Sequence, residues 1–398
     1  MFPLCSPVYK NSIHADNYYI SEVRINNLTS RERLTRIFQK KEIDRPALKL
    51  WGFQPDQAML HVDYEQVYKK AAELTDWFAY AYSPFNMIAG SNSEKYITRE
   101  LRPHSDTWQE QIVTYHTPKG DLTERRMIST VKAPGYDIEH AIKEPKDLEA
   151  IISIPYEPYA IRAQNYFNTE ARVGDKGVTL FGINHAAYSV QCLTGSETLA
   201  FFSVDHRELL LHAIEIFSER LKQHVRNAID AGIRGIYYWV GPELFIPPLM
   251  APQDFEDFVF NLDKPLCDMI HDAGGHVWLH VHGKVYKFIR RFIEMGIDVL
   301  NPLEPPKNGD IFMPDLIKNY GNEMGWEGNI EIQEIIQAEP DRLRRLIHEC
   351  VEAGAPSGRF ILGPSTGYME FPFPEPKFIN NLLLYLDEGY REVEKWRK

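Results

Sequence analysis

Gly275-His276-Val277-Trp278-Leu279-His280-Val281-His282-Gly283 is an apolar run opened by glycine and closed by two imidazoles at i and i+2. Side chains two apart on a strand share a face, so His280 and His282 are expected to leave one strand end in the same direction. Further along, Gly296-Ile297-Asp298-Val299-Leu300 is a second apolar run, ending in Asn301-Pro302-Leu303-Glu304-Pro305-Pro306. If the two strands are neighbours, His280, His282 and Glu304 converge at one sheet end as a metal or acid–base site. In a parallel α/β barrel that end is where chemistry gathers.

Outward from this pair the same rhythm repeats. Strands are expected at 47–51, 76–82, 178–183, 235–239, 276–280, 298–300, 324–328 and 359–363, each followed by helical sequence. Their apolar, β-branched and aromatic content suits burial on both faces. Eight is the closure number of the (β/α)8 TIM barrel, so residues 1–398 are read as one barrel domain. Residues 1–29 form an N-terminal arm, and a first helix over 31–39 takes Ser30 as its cap. Residues 87–170 break the rhythm and are read as an insertion after the second strand. It carries a hairpin, 111–116 and 122–128, around Thr117-Pro118-Lys119-Gly120-Asp121.

Composition narrows the function classes. Net charge is −12, with no clustered Lys/Arg stripe, which argues against nucleic acid or an anionic membrane as partner. No window approaches the ~20 apolar residues of a membrane span, and the N-terminus lacks a signal-peptide pattern. Cys5, Cys192, Cys267 and Cys350 lie far apart, with no Cys-x-x-Cys. They fit a reduced, cytoplasmic protein, and Cys192, Cys267 and Cys350 read as core residues rather than nucleophiles. Tyr18 and Tyr19 are read either as packing on a second subunit of a homodimer or as part of a solvated tail.

Several ordered motifs resemble the uroporphyrinogen decarboxylase superfamily. They are Arg31-Glu32-Arg33 with Asp44-Arg45-Pro46, Thr117-Pro118-x-Gly120-x-Leu122, His280-x-His282-Gly283, Asp298-Val299-Leu300-Asn301-Pro302-x-Glu304, Gly328-Asn329-Ile330 and Phe360-Ile361-Leu362-Gly363-Pro364-Ser365. The resemblance covers nearly the whole chain and is strongest from about 235 to 368. It implies one of two chemistries: decarboxylation of uroporphyrinogen without metal, or zinc-dependent methyl transfer involving a corrinoid protein or a thiol. The decarboxylase branch follows its first strand with an arginine-rich segment that holds the substrate carboxylates. Here Trp51-Gly52-Phe53-Gln54-Pro55 stands there, and Ser83-Pro84-Phe85-Asn86 replaces the segment with the catalytic Asp. The methyltransferase branch holds zinc with His-x-Cys-Gly, a later Cys and in some members a Glu. Carried over, these positions are His280, His282 in place of the first Cys, Ser365 or Thr366 in place of the second, and Glu304.

The resemblance therefore implies a metal on His280, His282 and Glu304, which are also the expected catalytic residues. Two His and one carboxylate form an open catalytic zinc arrangement with a position left for water or substrate. The alternative is a polar pocket whose His pair binds substrate without metal, and Glu304 could instead cap a helix or pair with Lys307. Trp51, Asn86, Asn184, Tyr188, Trp239, Glu243 and Asn329 fall at or beyond expected strand ends. With Ser365 they are the expected substrate-binding residues, aromatics forming an apolar wall. The bland reading has Trp51 and Trp239 plugging the barrel and Glu243 as a solvated charge.

The resulting expectation is an enzyme: metal-assisted methyl transfer between a small substrate and a corrinoid protein or thiol, with Zn2+ as metal and cobalamin carried by a partner. The alternatives are a metal-free carboxy-lyase and a binding-only member.

Overall fold

Strands buried on both faces leave no room for polar alternation, and Gly177–Gly182 and Phe360–Pro364 are buried at every position. The computed structural model describes residues 27–55, 59, 61–131, 133–367 and 375–398. Residues 1–26, most of the expected arm and both Tyr18 and Tyr19, lie outside the described residues. The strands, in chain order, are β1 Ala47–Leu48, β2 Trp77–Tyr82, β3 Ile97–Pro103, β4 Trp108–Thr117, β5 Gly120–Ser129 and β6 Tyr136–Glu139. They continue as β7 Gly177–Gly182, β8 Ile236–Val240, β9 His276–His280, β10 Val299–Asn301, β11 Gly325–Ile330 and β12 Phe360–Pro364.

Eight of these form one sheet, ordered β1-β12-β11-β10-β9-β8-β7-β2, with every pairing parallel. The seam between β1 and β2 is drawn together by Asp76, whose backbone N donates to Leu48 O at 2.8 Å and whose carboxylate accepts from Leu48 N at 2.9 Å. The fold is the expected (β/α)8 TIM barrel.

Strand alternation divides the apolar residues into two layers. Ala47, Phe78, Val178, Leu180, Trp278 and Ile361 fill the barrel interior, which Leu34, Ile37 and Phe38 close from below. Phe181, Tyr237, Leu279, Leu300, Trp326 and Leu362 face the helices. Trp239 belongs to this outer layer and is 1% exposed. The expectation that it lines the mouth is thus corrected: one step of strand period gives the inward position to Tyr238.

The lower closure begins with the helix Ser30–Phe38. Its cap is Thr29 rather than Ser30, because Thr29 accepts from Glu32 N while Glu32 reaches back to Thr29 N in a capping box. From that helix Arg33 donates twice to Asp44, at 2.7 and 2.9 Å, and once to Asp76 at 2.5 Å. Arg45 and Arg397 add ion pairs to Asp76 and Asp44 at 3.3 and 3.2 Å.

Between β2 and β7 the strands β3 to β6 form a separate antiparallel sheet, with Thr117 paired to Gly120 across the tight turn. The stretch 87–170 also includes the start of the helix Ala163–Val173, which packs on β2 and β7 as a barrel helix does. Cys267 and Cys350 are buried, as expected, whereas Cys192 is exposed on the helix Ala186–Asp205. No helix among the described residues is long and apolar enough to cross a membrane.

Candidate active site

β9 and β10 are hydrogen-bonded neighbours, with Asn301 opposite His280. This register sets His280 and Asn301 side by side at the C-terminal end of the barrel, with His282 two residues beyond. His280 Nδ1 lies 2.6 Å from Asn301 Oδ1, and its Nε2 lies 2.8 Å from His282 Nε2. His282 Nδ1 is 2.9 Å from Glu304 Oε1. Glu304 also accepts from Gly283 N at 2.7 Å. Gly283 reaches this position with φ +86°, a left-handed conformation that suits glycine.

The hydrogen positions follow from the acceptors. A carboxylate only accepts, so His282 Nδ1 carries the hydrogen toward Glu304. Asn301 Nδ2 donates to Glu327 Oε1 at 2.8 Å, so its carbonyl end faces His280, and His280 Nδ1 is a donor as well. Both Nε2 atoms then present lone pairs to each other at 2.8 Å. Such a contact is favourable only with a shared proton or a cation between them.

Charge at the pair is uneven. Burial, the charge of His282 and Lys49 push His280 down to about 3, so its ring is neutral. Burial opposes a charge on His282 too, but its hydrogen bond to Glu304 and the surrounding carboxylates prevail and raise it. Burial works against the Glu304 charge, yet the His282 and Gly283 hydrogen bonds hold it below the ordinary range.

Glu304 therefore stands behind the His282 ring, on the Nδ1 side, and does not meet the two Nε2 atoms at one point. Among the described residues, no three His, Cys, Asp or Glu side chains stand close enough to hold a metal ion. The expected three-donor set is corrected in this respect: Glu304 orients a histidine. That is the usual place of a carboxylate beside a metal-binding imidazole.

Around the pair, Trp51 lies 5.3 Å from the His280 ring, and Trp278 stacks on it at 5.8 Å. Tyr82 and Tyr238 join hydroxyl to hydroxyl at the mouth. Glu243 and Glu331 each keep one buried carboxylate oxygen without a hydrogen-bond partner among the described residues. Burial raises both carboxyls, while the charge of His282 pulls each back. Ser365 holds Glu331: its hydroxyl lies 3.2 Å from Glu331 Oε2 and accepts from Ile332 N. Tyr188 packs over Gly241, whose φ of +111° and lack of Cβ admit the ring beside Glu243.

The other expected binding residues lie elsewhere. Asn86 spends its side chain capping Ile88 N and Ala89 N, Asn184 is exposed, and Asn329 faces an outer groove of about 840 Å3 between the helices Met313–Tyr320 and Pro340–Gly354. Sequence reasoning missed Lys49 and Glu327, joined at 2.6 Å inside the barrel. Their signal was a charge within a strand otherwise fit for two-faced burial. It also missed His185, buried against Asp263 at 2.9 Å while accepting from Tyr188 N.

An eight-stranded parallel barrel with a His pair and carboxylates at its C-terminal mouth has the architecture in which barrel enzymes place their chemistry. The family model described as Uroporphyrinogen decarboxylase (URO-D) matches residues 131–375, more than half of the 398 residues, and the chain belongs to this family. No curated protein sequence matches. Among solved structures, a methyltransferase from Methanosarcina mazei is similar with a TM-score of 0.57 and 14% identity, covering 92% of this chain and 100% of the other. A GH5-4 broad specificity endoglucanase from Clostridium acetobutylicum aligns over 92% of this chain and 99% of its own, at 8% identity and a TM-score of 0.40.

Proposed function

We propose that the protein is a metal-assisted methyltransferase acting between a small substrate and a corrinoid protein or thiol. The observation that carries this reading is the approach of His280 Nε2 to His282 Nε2 at 2.8 Å, with both Nδ1 atoms held from behind by Asn301 and Glu304. The donor chemistry of the two Nε2 atoms fits two ligands of a divalent ion, zinc above all, with Glu304 and Asn301 fixing the rings. Glu243 and Glu331, each with an unpartnered oxygen, are further carboxylates whose charge is felt at His282. When bound, zinc supplies Lewis acidity to the heteroatom that gains or loses the methyl group.

The chain's own residues do the rest. Trp51, Tyr82 and Tyr238 wall the mouth against water, and Trp278 holds the His280 ring in place. Glu304 keeps the His282 Nδ1 proton on the far side of the ring. The mouth suits an apolar or flat substrate better than a polyanion, because Glu243, Glu304 and Glu331 surround the pair. Lys49, the cation beneath it, is already bound to Glu327. A corrinoid partner would approach from the same open end. The structural likeness to a methyltransferase agrees with this reading.

A second reading has one observation in its favour. The 2.8 Å between the Nε2 atoms is a hydrogen-bond length. Two nitrogens on one tetrahedral zinc stand about 3.3 Å apart, from Zn–N distances of ~2.0–2.1 Å. As a shared-proton pair, His280 and His282 would serve acid–base chemistry in a metal-free carboxy-lyase.

Elemental analysis of unchelated protein separates the two. One zinc per chain is expected, lost in His282→Ala together with methyl transfer, at least ~100-fold, with the melting temperature retained. Metal content near zero that added zinc does not raise leaves the shared-proton reading.

A further inference from the structure

Below the His pair runs a second layer of polar side chains, deep inside the barrel. Glu327 on β11 is 0% exposed, and three donors meet its carboxylate. Lys49 Nζ and Asn301 Nδ2 approach Oε1 at 2.6 and 2.8 Å, and Trp278 Nε1 approaches Oε2 at 2.8 Å. Lys49 Nζ sits among three aromatic faces, 4.2 Å from Trp51, 4.4 Å from Phe78 and 4.5 Å from Trp278. Burying such an ion pair is weak evidence for stability, since well-packed apolar residues do as well.

We propose that Glu327, with Lys49 as its countercharge, is a positioning residue that fixes the His280 ring tautomer through Asn301. A side-chain amide has a donating end and an accepting end that differ little in shape. Only an acceptor on one side decides which end faces which way. Glu327 is that acceptor: it takes the Asn301 NH2 group and turns the carbonyl to His280 Nδ1, 2.6 Å away. The carbonyl then demands the hydrogen on Nδ1 and leaves Nε2 bare toward His282. Lys49 keeps a negative charge acceptable in an aromatic interior, and Trp278 pins the second carboxylate oxygen while stacking on the His280 ring. Glu327 thus acts on the reacting pair from two side chains away, without touching a substrate.

This rests on the reading of the His pair as the working centre, and the test keeps the two apart. Glu327→Gln replaces an acceptor by a group that also donates, so Asn301 loses its preferred end. That variant strands the Lys49 charge, so Lys49→Met/Glu327→Gln, neutral on both sides, is made beside it. The first readout is 15N NMR of metal-free, histidine-labelled protein, with His280 assigned by His280→Gln. Wild type is expected to show His280 protonated on Nδ1 alone, and the double variant a mixture of both tautomers at an unchanged fold by circular dichroism.

The second readout is titration with cobalt(II) alone, where affinity is expected to fall on the order of 10–100-fold in the double variant. His280 remaining wholly Nδ1-protonated in a folded double variant overturns the proposal. If wild type binds no cobalt, the metal reading fails instead, while the tautomer measurement still decides the role of Glu327.

Discussion

The barrel has two polar networks, one at each end, and they are built differently. At the N-terminal end Arg33, Arg45 and Arg397 meet Asp44 and Asp76 in direct ion pairs, and both Asp side chains are 0% exposed. Every charge there ends on an opposite charge. At the C-terminal end the chain runs Lys49, Glu327, Asn301, His280, His282, Glu304. It contains one contact, between two Nε2 atoms, that either a shared proton or a cation completes. The lower network holds the fold by closing on itself, and under the proposed function the upper one leaves its open contact for a cation. The division matches the general division of labour between the two faces of such barrels.

The largest expected effect that would break this contrast is at the lower end. Arg33→Met leaves Asp44 and Asp76 with only their longer ion pairs. It is expected to lower stability by about 3 kcal/mol, read by urea unfolding, while cobalt binding by the folded protein stays at wild-type strength. Weakened cobalt binding would show that the ends are coupled and not separate.

Next comes Glu304→Gln, which keeps the shape but sets an amide donor or a weakened acceptor against His282 Nδ1 and Gly283 N. Metal affinity is expected to fall on the order of 10–100-fold, with unfolding midpoints nearly unmoved. A large loss of stability with intact binding would reverse the assignment of this end.

The smallest effect sharpens the contrast by pH. Asp298, at the lower ends of β9 and β10, accepts from His271 Nε2 and Val277 N, each at 2.8 Å. Burial opposes its charge, but hydrogen bonds from His271 and His276 hold it below the ordinary 3.8. A carboxylate depressed on folding adds stability that is complete above its unfolded value and lost as pH falls through the folded one. Asp298→Asn is expected to cost about 1–2 kcal/mol near pH 7. The gap to wild type should stay constant down to about pH 5 and close below 3.8. A gap that persists at lower pH would assign the loss to packing.

The later strands and the place of the His pair were legible because apolar runs at or just after a glycine recur from Gly177 onward. What escaped was the direction of side chains within those runs. Ile236-Tyr237-Tyr238-Trp239-Val240 has no polar member to set its phase, so Tyr238 and Trp239 could exchange places on paper. Glu304 was found in the right neighbourhood, but its approach to Nδ1 rather than Nε2 depends on the path of Asn301-Pro302-Leu303, which no period governs. Lys49 and Glu327 were visible as misplaced charges, yet nothing local tells which partner lies 278 positions away. The helix Ala163–Val173 was absorbed into an irregular stretch because the antiparallel strands before it hide the resumption of barrel rhythm.

Trp51 and Trp278 stand 5.8 Å from each other, and both flank the His280 ring. Indole emission is quenched when an open-shell metal ion binds in near contact with the ring. The barrel therefore carries its own optical gauge: cobalt entering between the imidazoles should darken these two indoles, while Trp396, at the lower end where Lys398 N meets Asp44 O, stays bright.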